Sequence, residues 1–267
     1  MKIQSSNSAW IRRASIAAVA ATVVAGCTFG AALPANASDA SAYHEANVSL
    51  INLRAAGYVM WAGAAITAPN STIHGRVGSL AAITEPGAIV EGAGTTSKSY
   101  SVAPTITTDA ATYSRYATDA SAATNAVASA YASVVAVTGM KELPGADLGG
   151  TKVYPGVWHM TSAIAMTSNI TIDSEGSSAP IIIVTDGALN TTAGTTVALT
   201  KGTKASNIFW VTAGAATLGA SSNFAGNIIS DAAITVGAGT TVDGRLYSVN
   251  DAITLDNNSI NSTYTGE

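Results

Sequence analysis

Charge, aromatic rings and sulfur are all scarce in this chain of 267 residues: 10% of its side chains are charged, 6% are aromatic and one is a cysteine. With Cys27 alone, no disulfide can close within the domain, so hydrogen-bond ladders and an apolar core must hold the fold. A formal net charge of −4 spread over so few ionic groups gives no basic stripe for nucleic acid and no cationic surface for an anionic membrane. Past the N-terminus no run is long and apolar enough for a membrane span, since the helical stretch near 108–137 carries Asp109, Arg115 and Asp119. Few aromatics also leave little material for a sugar-stacking cleft.

Catalytic groups are equally sparse. His44, His74 and His159 are isolated in sequence and fit no metal-ligand spacing, so they read as solvated or hydrogen-bonded structural histidines. No Gly-x-Ser-x-Gly elbow and no phosphate loop occurs. The nearest carboxylate pairs, Asp173 with Glu175 and Asp251 with Asp256, sit among turn residues and read as corner acids. The expectation is a protein without catalytic residues, metal or cofactor.

The first 37 residues read as an export signal. Arg12 and Arg13 precede an apolar run from Ala14 to about Ala32, and Ala35-Asn36-Ala37 is a small-residue cleavage site. A competing reading is Val24-Ala25-Gly26-Cys27, a lipoprotein-type box in which Cys27 would be acylated. Cleavage after Ala37 predicts a secreted protein; acylation at Cys27 predicts a lipid anchor at the cell surface. Residues 38–267 then form one domain, and losing Lys2, Arg12 and Arg13 makes it mildly acidic.

What the chain does have is repetition. Ala216-Thr217-Leu218, Ile234-Thr235-Val236 and Ile253-Thr254-Leu255 recur at intervals of roughly 18 or 19 residues. Each triplet reads as a short strand that sends two apolar side chains one way and a threonine the other. Asn223-Phe224-Ala225-Gly226-Asn227-Ile228-Ile229-Ser230 aligns with Thr241-Val242-Asp243-Gly244-Arg245-Leu246-Tyr247-Ser248, adding a glycine corner and a second strand to each unit. Such self-similarity, with Gly, Asn, Asp and Ser at the corners, predicts a β-solenoid. Three strands per coil make its cross-section triangular.

One copy of the phrase stands far upstream. Ile66-Thr67-Ala68-Pro69-Asn70-Ser71-Thr72-Ile73-His74-Gly75-Arg76-Val77 repeats Ile234 to Leu246, one residue shorter. Both ends of the chain are therefore expected in one solenoid, stacked in an order that differs from sequence order. Between them, Tyr113, Tyr116, Ala120, Ala123, Val127, Ala130, Tyr131, Val134 and Val135 recur at helical spacing. Thr108-Asp109 supplies an N-cap and Gly139 a stop, which predicts a helix over about 108–137. A helix this apolar needs a partner. Ile181 to Val184 and Ile208 to Val211, apolar without alternation, read as strands buried on both faces and supply it.

These phrases, with Leu143-Pro144-Gly145-Ala146-Asp147-Leu148-Gly149-Gly150, Tyr154-Pro155-Gly156-Val157-Trp158, Asn207-Ile208-Phe209-Trp210 and Val242-Asp243-Gly244-Arg245-Leu246, resemble the secreted microbial ice-binding proteins. The resemblance implies a mainly β fold: a discontinuous right-handed β-solenoid with one long α-helix along one face. It implies a monomer that adsorbs to the surface of an ice crystal through a flat face not covered by the helix. Thr192-Ala193-Gly194-Thr195 matches that family's loose Thr-(Ala/Gly)-x-(Thr/Asn) pattern, which adds Thr192 and Thr195 to the candidates Thr217, Thr235, Thr254 and Thr67.

Threonine suits such a face on physical grounds. Stacked strands repeat at about 4.7–4.9 Å and alternate residues along a strand at about 6.6–6.8 Å, both close to oxygen spacings in ice. The side chain pairs a water-binding hydroxyl with a methyl on a stiff, β-branched stem. Outward threonines also decorate solenoids with no such role. The alternative reading is a secreted adhesion or matrix module, and the neighbouring face with Ala198, Ala225 and Asp243 is the next candidate surface.

Overall fold

Apolar residues at both faces of one strand demand two cores, and the chain builds two. In the computed structural model, which describes residues 46, 49–50, 58–81, 83–84, 89–91, 99–101 and 110–262, strands Ile181–Thr185 and Ile208–Thr212 are buried along their whole length. Ile181, Ile183, Ile208 and Trp210 point into the solenoid, while Ile182, Val184, Phe209 and Val211 point out toward a helix. The described residues lie in one compact unit, Ala31–Glu267. The leader-like segment with Cys27, and also His44, fall outside the described residues.

Seven of the described coils contribute one strand to each of three faces, and the coils at the two ends of the stack are partial. The helix-bearing face is a nine-stranded parallel sheet whose strands run, in spatial order, Ser99–Ser101, Arg76–Ser79, Tyr58–Ala62, Leu246–Ser248, Asn227–Ser230, Ile208–Thr212, Ile181–Thr185, Gly156–Met160 and Lys141–Glu142. A seven-stranded sheet carries the Thr triplets, and the third face is divided between a five-stranded and a three-stranded sheet bridged at Thr196 and Asn223. All the pairings among the described residues are parallel, as stacking of one coil on the next requires.

Spatial order departs from sequence order at one seam. Met60 pairs with Leu246 and Thr67 with Thr254, so the coil at 58–74 stacks on the coil at 246–261 and the chain's first described strands continue its last. The expectation from the shortened upstream repeat thus holds. The Tyr247 hydroxyl donates to the Tyr58 carbonyl at 2.8 Å across 189 residues of sequence.

Corners explain much of the residue choice. Where the helix face turns into the Thr face, Thr185, Thr212, Ser230, Ser248 and Ser79 are fully buried in one register column. Their hydroxyls donate to turn carbonyls at 2.5–2.9 Å, as from Thr185 to Ser162, Ser230 to Gly214 and Ser248 to Ala232. Burying these turns without such partners would cost about 1–3 kcal/mol per orphaned group. Where the third face turns back to the helix face, Gly226 and Gly244 take φ of 119° and 151°. A Cβ on Gly244 would lie 2.0 Å from the Gly226 carbonyl oxygen, and one on Gly226 would strike the Trp210 indole.

The helix spans Ala110–Val135, inside the expected 108–137, and the chain turns away at Gly139, where φ is 68°. Ala123, Val127, Ala130 and Val134, spaced by four, three and four, are buried against Ile182, Val184, Phe209, Val211, Ile229 and Tyr247. Thr108 and Asp109, the expected cap, lie outside the described residues, as do the side chains of Tyr113, Tyr116 and Ala120. Packing of helix on sheet generates one prediction. Phe209→Ala should lower unfolding free energy by about 3–5 kcal/mol by opening a cavity under the helix, read from denaturant titration followed by circular dichroism.

Candidate functional site

Alternation on the seven-stranded face is strict: Ala216–Leu218 and Ile234–Val236 both show buried, exposed, buried residues. The apolar members enter the core and fix which side chain must face out. Register then aligns the outward positions. Thr217 stands beside Thr235, Thr235 beside Thr254, Thr254 beside Thr67 and Thr67 beside Thr84, giving five threonines in an unbroken column. Four coil steps at roughly 4.8 Å make it about 19 Å long.

The column continues with smaller or amide side chains. Asn190 pairs with Thr217 and Ala165 with Asn190, and Asp147 closes the row beside Ala165. A second column runs parallel to it. Ala163, Ala188, Ala215, Ala233, Ala252 and Ala65 each stand two residues before the column member of their coil. The carbonyls of Ala188, Ala215, Ala233, Ala252 and Ala65 each accept a ladder hydrogen bond from the neighbouring coil, at 2.8–3.0 Å. The surface is a flat two-row lattice of methyl and hydroxyl groups, without charge between Asp147 and Thr84.

Hydroxyl bonding separates these threonines from the others. Among the described residues, no protein group hydrogen-bonds the hydroxyls of Thr217, Thr235, Thr254, Thr67 or Thr84. Thr195, by contrast, is only 4% exposed and donates to the Thr192 carbonyl at 2.6 Å. Thr192 is exposed at the edge, but its hydroxyl lies within 3.1–3.3 Å of Thr195 Oγ1 and the Met166 and Thr167 carbonyls. The Thr192-Ala193-Gly194-Thr195 phrase is therefore a corner lock, with Gly194 at φ 74° inside the turn. Thr195 cannot reach a surface ligand, and its expected place among the candidates is corrected accordingly.

Thr84 and Asn190 are members that the sequence reading missed. A signal for Thr84 was present: Ala81-Ala82-Ile83-Thr84 repeats both Ala64-Ala65-Ile66-Thr67 and Ala232-Ala233-Ile234-Thr235. Asn190 gives no such signal, because Leu189-Asn190-Thr191 has the periodicity without the threonine.

The other faces are less uniform. The third face carries Lys152, Asp173, Asp243 and His74, and Lys152 Nζ meets Asp173 Oδ2 at 3.3 Å. His159 lies 3.0 Å from Asp186 and 3.8 Å from Glu142, near the first-coil end of the helix face. Among the described residues no cluster of three or more His, Cys, Asp or Glu could hold a metal ion. No described helix is long and apolar enough to cross a membrane.

Among the described residues two carboxylates titrate below the ordinary value of 3.8, both near the first-coil end. Asp147 is held down by hydrogen bonds from the Thr167 hydroxyl, the Gly149 N–H and the Thr167 N–H. Asp173 is held down by the Glu175 N–H and by Lys152, against an opposing effect of burial. A carboxylate depressed in the folded state adds stability that is complete above its unfolded pKa and is lost as pH falls through the folded value. The unfolding midpoint should hold steady above about pH 4 and drop below it, and Asp147→Asn with Asp173→Asn should flatten that drop in thermal melts taken across pH.

Fold and face together define a class: a β-solenoid in which coils from the two ends of the chain adjoin, with a helix on one side and a regular, uncharged Thr/Ala lattice on another. A family profile described as ice-binding-like matches residues 60–261, and the chain belongs to that family. It is 32% identical over 207 residues to the ice-binding protein K3-B1 of Typhula ishikariensis, covering 73% of this chain and 83% of that one. It is 34% identical over 140 residues to an ice-binding protein of Nostoc sp. (strain HG1), covering 52% of each. The matches span about half the length, or less, of several relatives. Among solved structures, an ice-binding protein from Arctic yeast superimposes with a TM-score of 0.67 at 21% identity, over 80% of this chain and 94% of that one. At that identity the likeness speaks for the fold.

Proposed function

We propose that this protein adsorbs to ice through the Thr/Ala face and inhibits ice growth and recrystallisation. The observation that carries the reading is the register-aligned column of Thr217, Thr235, Thr254, Thr67 and Thr84, whose hydroxyls have no partner among the described residues. Parallel backbones hold the hydroxyls at coil spacing, and the alanine row sets a second line about 6.8 Å away. Water bound along both rows repeats with nearly the spacing of an ice surface. Each contact is weak, but the side chains are β-branched and the backbone is fixed, so little ordering entropy opposes their sum. A crystal front advancing between adsorbed molecules must curve, which lowers its freezing point. The names of its relatives support the same reading.

The reading assigns the molecule no catalytic residue, metal or cofactor, and a monomer suffices for it. We place the protein outside the cell on the strength of the leader-like first 37 residues, with acylation at Cys27 as the alternative route. Thr192 belongs to the rim of the face and Thr195 to its support.

Substitution can test the face directly. Thr235→Tyr and Thr254→Tyr put a bulky ring on the lattice while leaving the inward Ile234, Val236 and Ile253 in place, so melting temperature should change little. Each should raise the concentration needed to suppress recrystallisation by on the order of tenfold, the equivalent of about 1.4 kcal/mol. Asn223→Tyr, on the third face, should leave activity unchanged. If both threonine variants shape ice as the unmodified protein does, the Thr face is not the adsorbing surface and an adhesion role gains ground.

A further inference from the structure

The corner between the helix face and the Thr face is built to one length in every described coil but one. Three residues separate Thr185 from Leu189, Thr212 from Ala216, Ser230 from Ile234 and Ala62 from Ile66, whereas four separate Ser248 from Ile253. Thr235 and Thr254 still stand in register, so the extra residue is absorbed within the corner, at Val249-Asn250-Asp251. Backbone hydrogen bonds show how. In an ordinary corner the N–H groups of Ala213 and Gly214 donate to the Thr185 and Gly187 carbonyls, which are two residues apart. At the seam the N–H groups of Gly63 and Ala64 donate to the Ser248 and Asp251 carbonyls at 3.0 and 3.1 Å, and these are three residues apart.

The skipped residues crowd the next coil. An ideal Cβ on Gly63 would lie 2.1 Å from the Val249 carbonyl oxygen, 2.7 Å from its carbon and 2.9 Å from Asn250 Cα, all of them backbone atoms. The φ of Gly63 is not positive, so close approach and not backbone conformation calls for glycine here. At the same corner position the other coils carry Thr161, Asp186, Ala213, Asp231, Val249 and Leu80. Among these coils, glycine stands only where one must seat against the longer corner. Nor can that corner retreat: the Val249 N–H donates to the Ser230 carbonyl at 2.8 Å and Asn250 Nδ2 to Asp231 Oδ1 at 2.7 Å, both on the preceding coil. A side chain at position 63 would therefore push the 58–74 coil away by about 1 Å, the shift that brings carbon and oxygen to ordinary contact.

We propose that Gly63 is a positioning residue for the adsorbing face: by making room for the longer corner it lets Thr67, four residues on, and Thr84 beyond it continue the line of Thr217, Thr235 and Thr254. The proposal rests on the Thr face being the ice-contacting surface. Gly63 itself lies at the corner and acts through the strand Ile66–Thr67 that follows it.

Compensation between a substitution and a deletion tests this. The readout is the lowest protein concentration that halts ice recrystallisation, with circular dichroism reporting folding and melting temperature. Gly63→Ala should raise that concentration by on the order of threefold, because Thr67 and Thr84 leave the line. Deleting Asn250 as well restores the common corner length and should bring activity back to that of the deletion alone, since the two changes meet at one contact. Gly244→Ala is the control: its Cβ would lie 2.0 Å from the Gly226 carbonyl oxygen, at the corner away from the Thr face. It should lower the melting temperature and leave the activity of the folded protein unchanged. Full activity in a folded Gly63→Ala would overturn the proposal, as would an equal loss in Gly244→Ala at equal stability. If Gly63→Ala does not fold by itself, the double variant decides: recovery of fold and activity supports the proposal, and failure of either overturns it. Thr235→Tyr separates the two readings: full activity there sinks the Thr face itself, whereas a loss there beside a fully active Gly63→Ala leaves the face standing and removes only the role of Gly63.

Discussion

One constraint governs this molecule: every coil must sit a single strand spacing above its neighbour, with its backbone groups paired along the stack. Parallel ladders on three faces impose that spacing, and nothing in the sequence can relax it without orphaning buried N–H and C=O groups. The polar side chains at the corners follow from this. Thr185, Thr212, Ser230 and Ser248 on one edge, and Thr195, Ser222, Thr240 and Asn258 on another, take up turn carbonyls that the ladders leave over. Buried hydroxyls in a chain with no possible internal disulfide are a distributed substitute for cross-links.

The same constraint makes a lattice out of a repeat. A threonine at one position of a coil is a decoration, whereas five at one register position form a ruled surface whose pitch is set by peptide geometry and not by side-chain choice. The distinction between Thr235 and Thr195 is instructive. Both are threonines on the same kind of coil, but one hydroxyl is left to water and the other is consumed by the turn. Residue identity alone does not reveal which, since both roles favour a β-branched side chain with a hydroxyl.

Much was legible beforehand, and the reasons are physical. Ile234-Thr235-Val236 could be read as in-out-in because period two admits no other arrangement over an apolar core. The doubly apolar Ile181 to Val184 and Ile208 to Val211 strands required a covering element, and the apolar helical stretch that follows Thr108 required a surface to cover. The upstream Ile66-Thr67 phrase announced the seam. What escaped was whatever depends on where a turn points its side chains. Thr195 looked like a surface residue because its phrase resembled a binding pattern, and Asn190 was passed over because an amide stands where threonine was sought. The alanine row was overlooked for a different reason: in a chain so rich in alanine, a column of them is visible only once the coils are stacked.

The inverted stacking order also shapes how the chain must fold. Coils between residues 156 and 243 can assemble by adding neighbours in turn, each closing a short loop. The coil at 58–74 has a local partner on one side only, the coil at 76–91; its other side docks on the coil at 246–261, far along the chain. Closing a loop of that length before any contact rewards it slows folding. Met60 and Trp61 can thus pair with Val77 and Gly78 at short range, whereas their pairing with Leu246 and Tyr247 closes the longest loop of the stack. Two short stacks can therefore each grow from local contacts, and the seam at Tyr58 and Tyr247 is the splice that makes one continuous prism face of them.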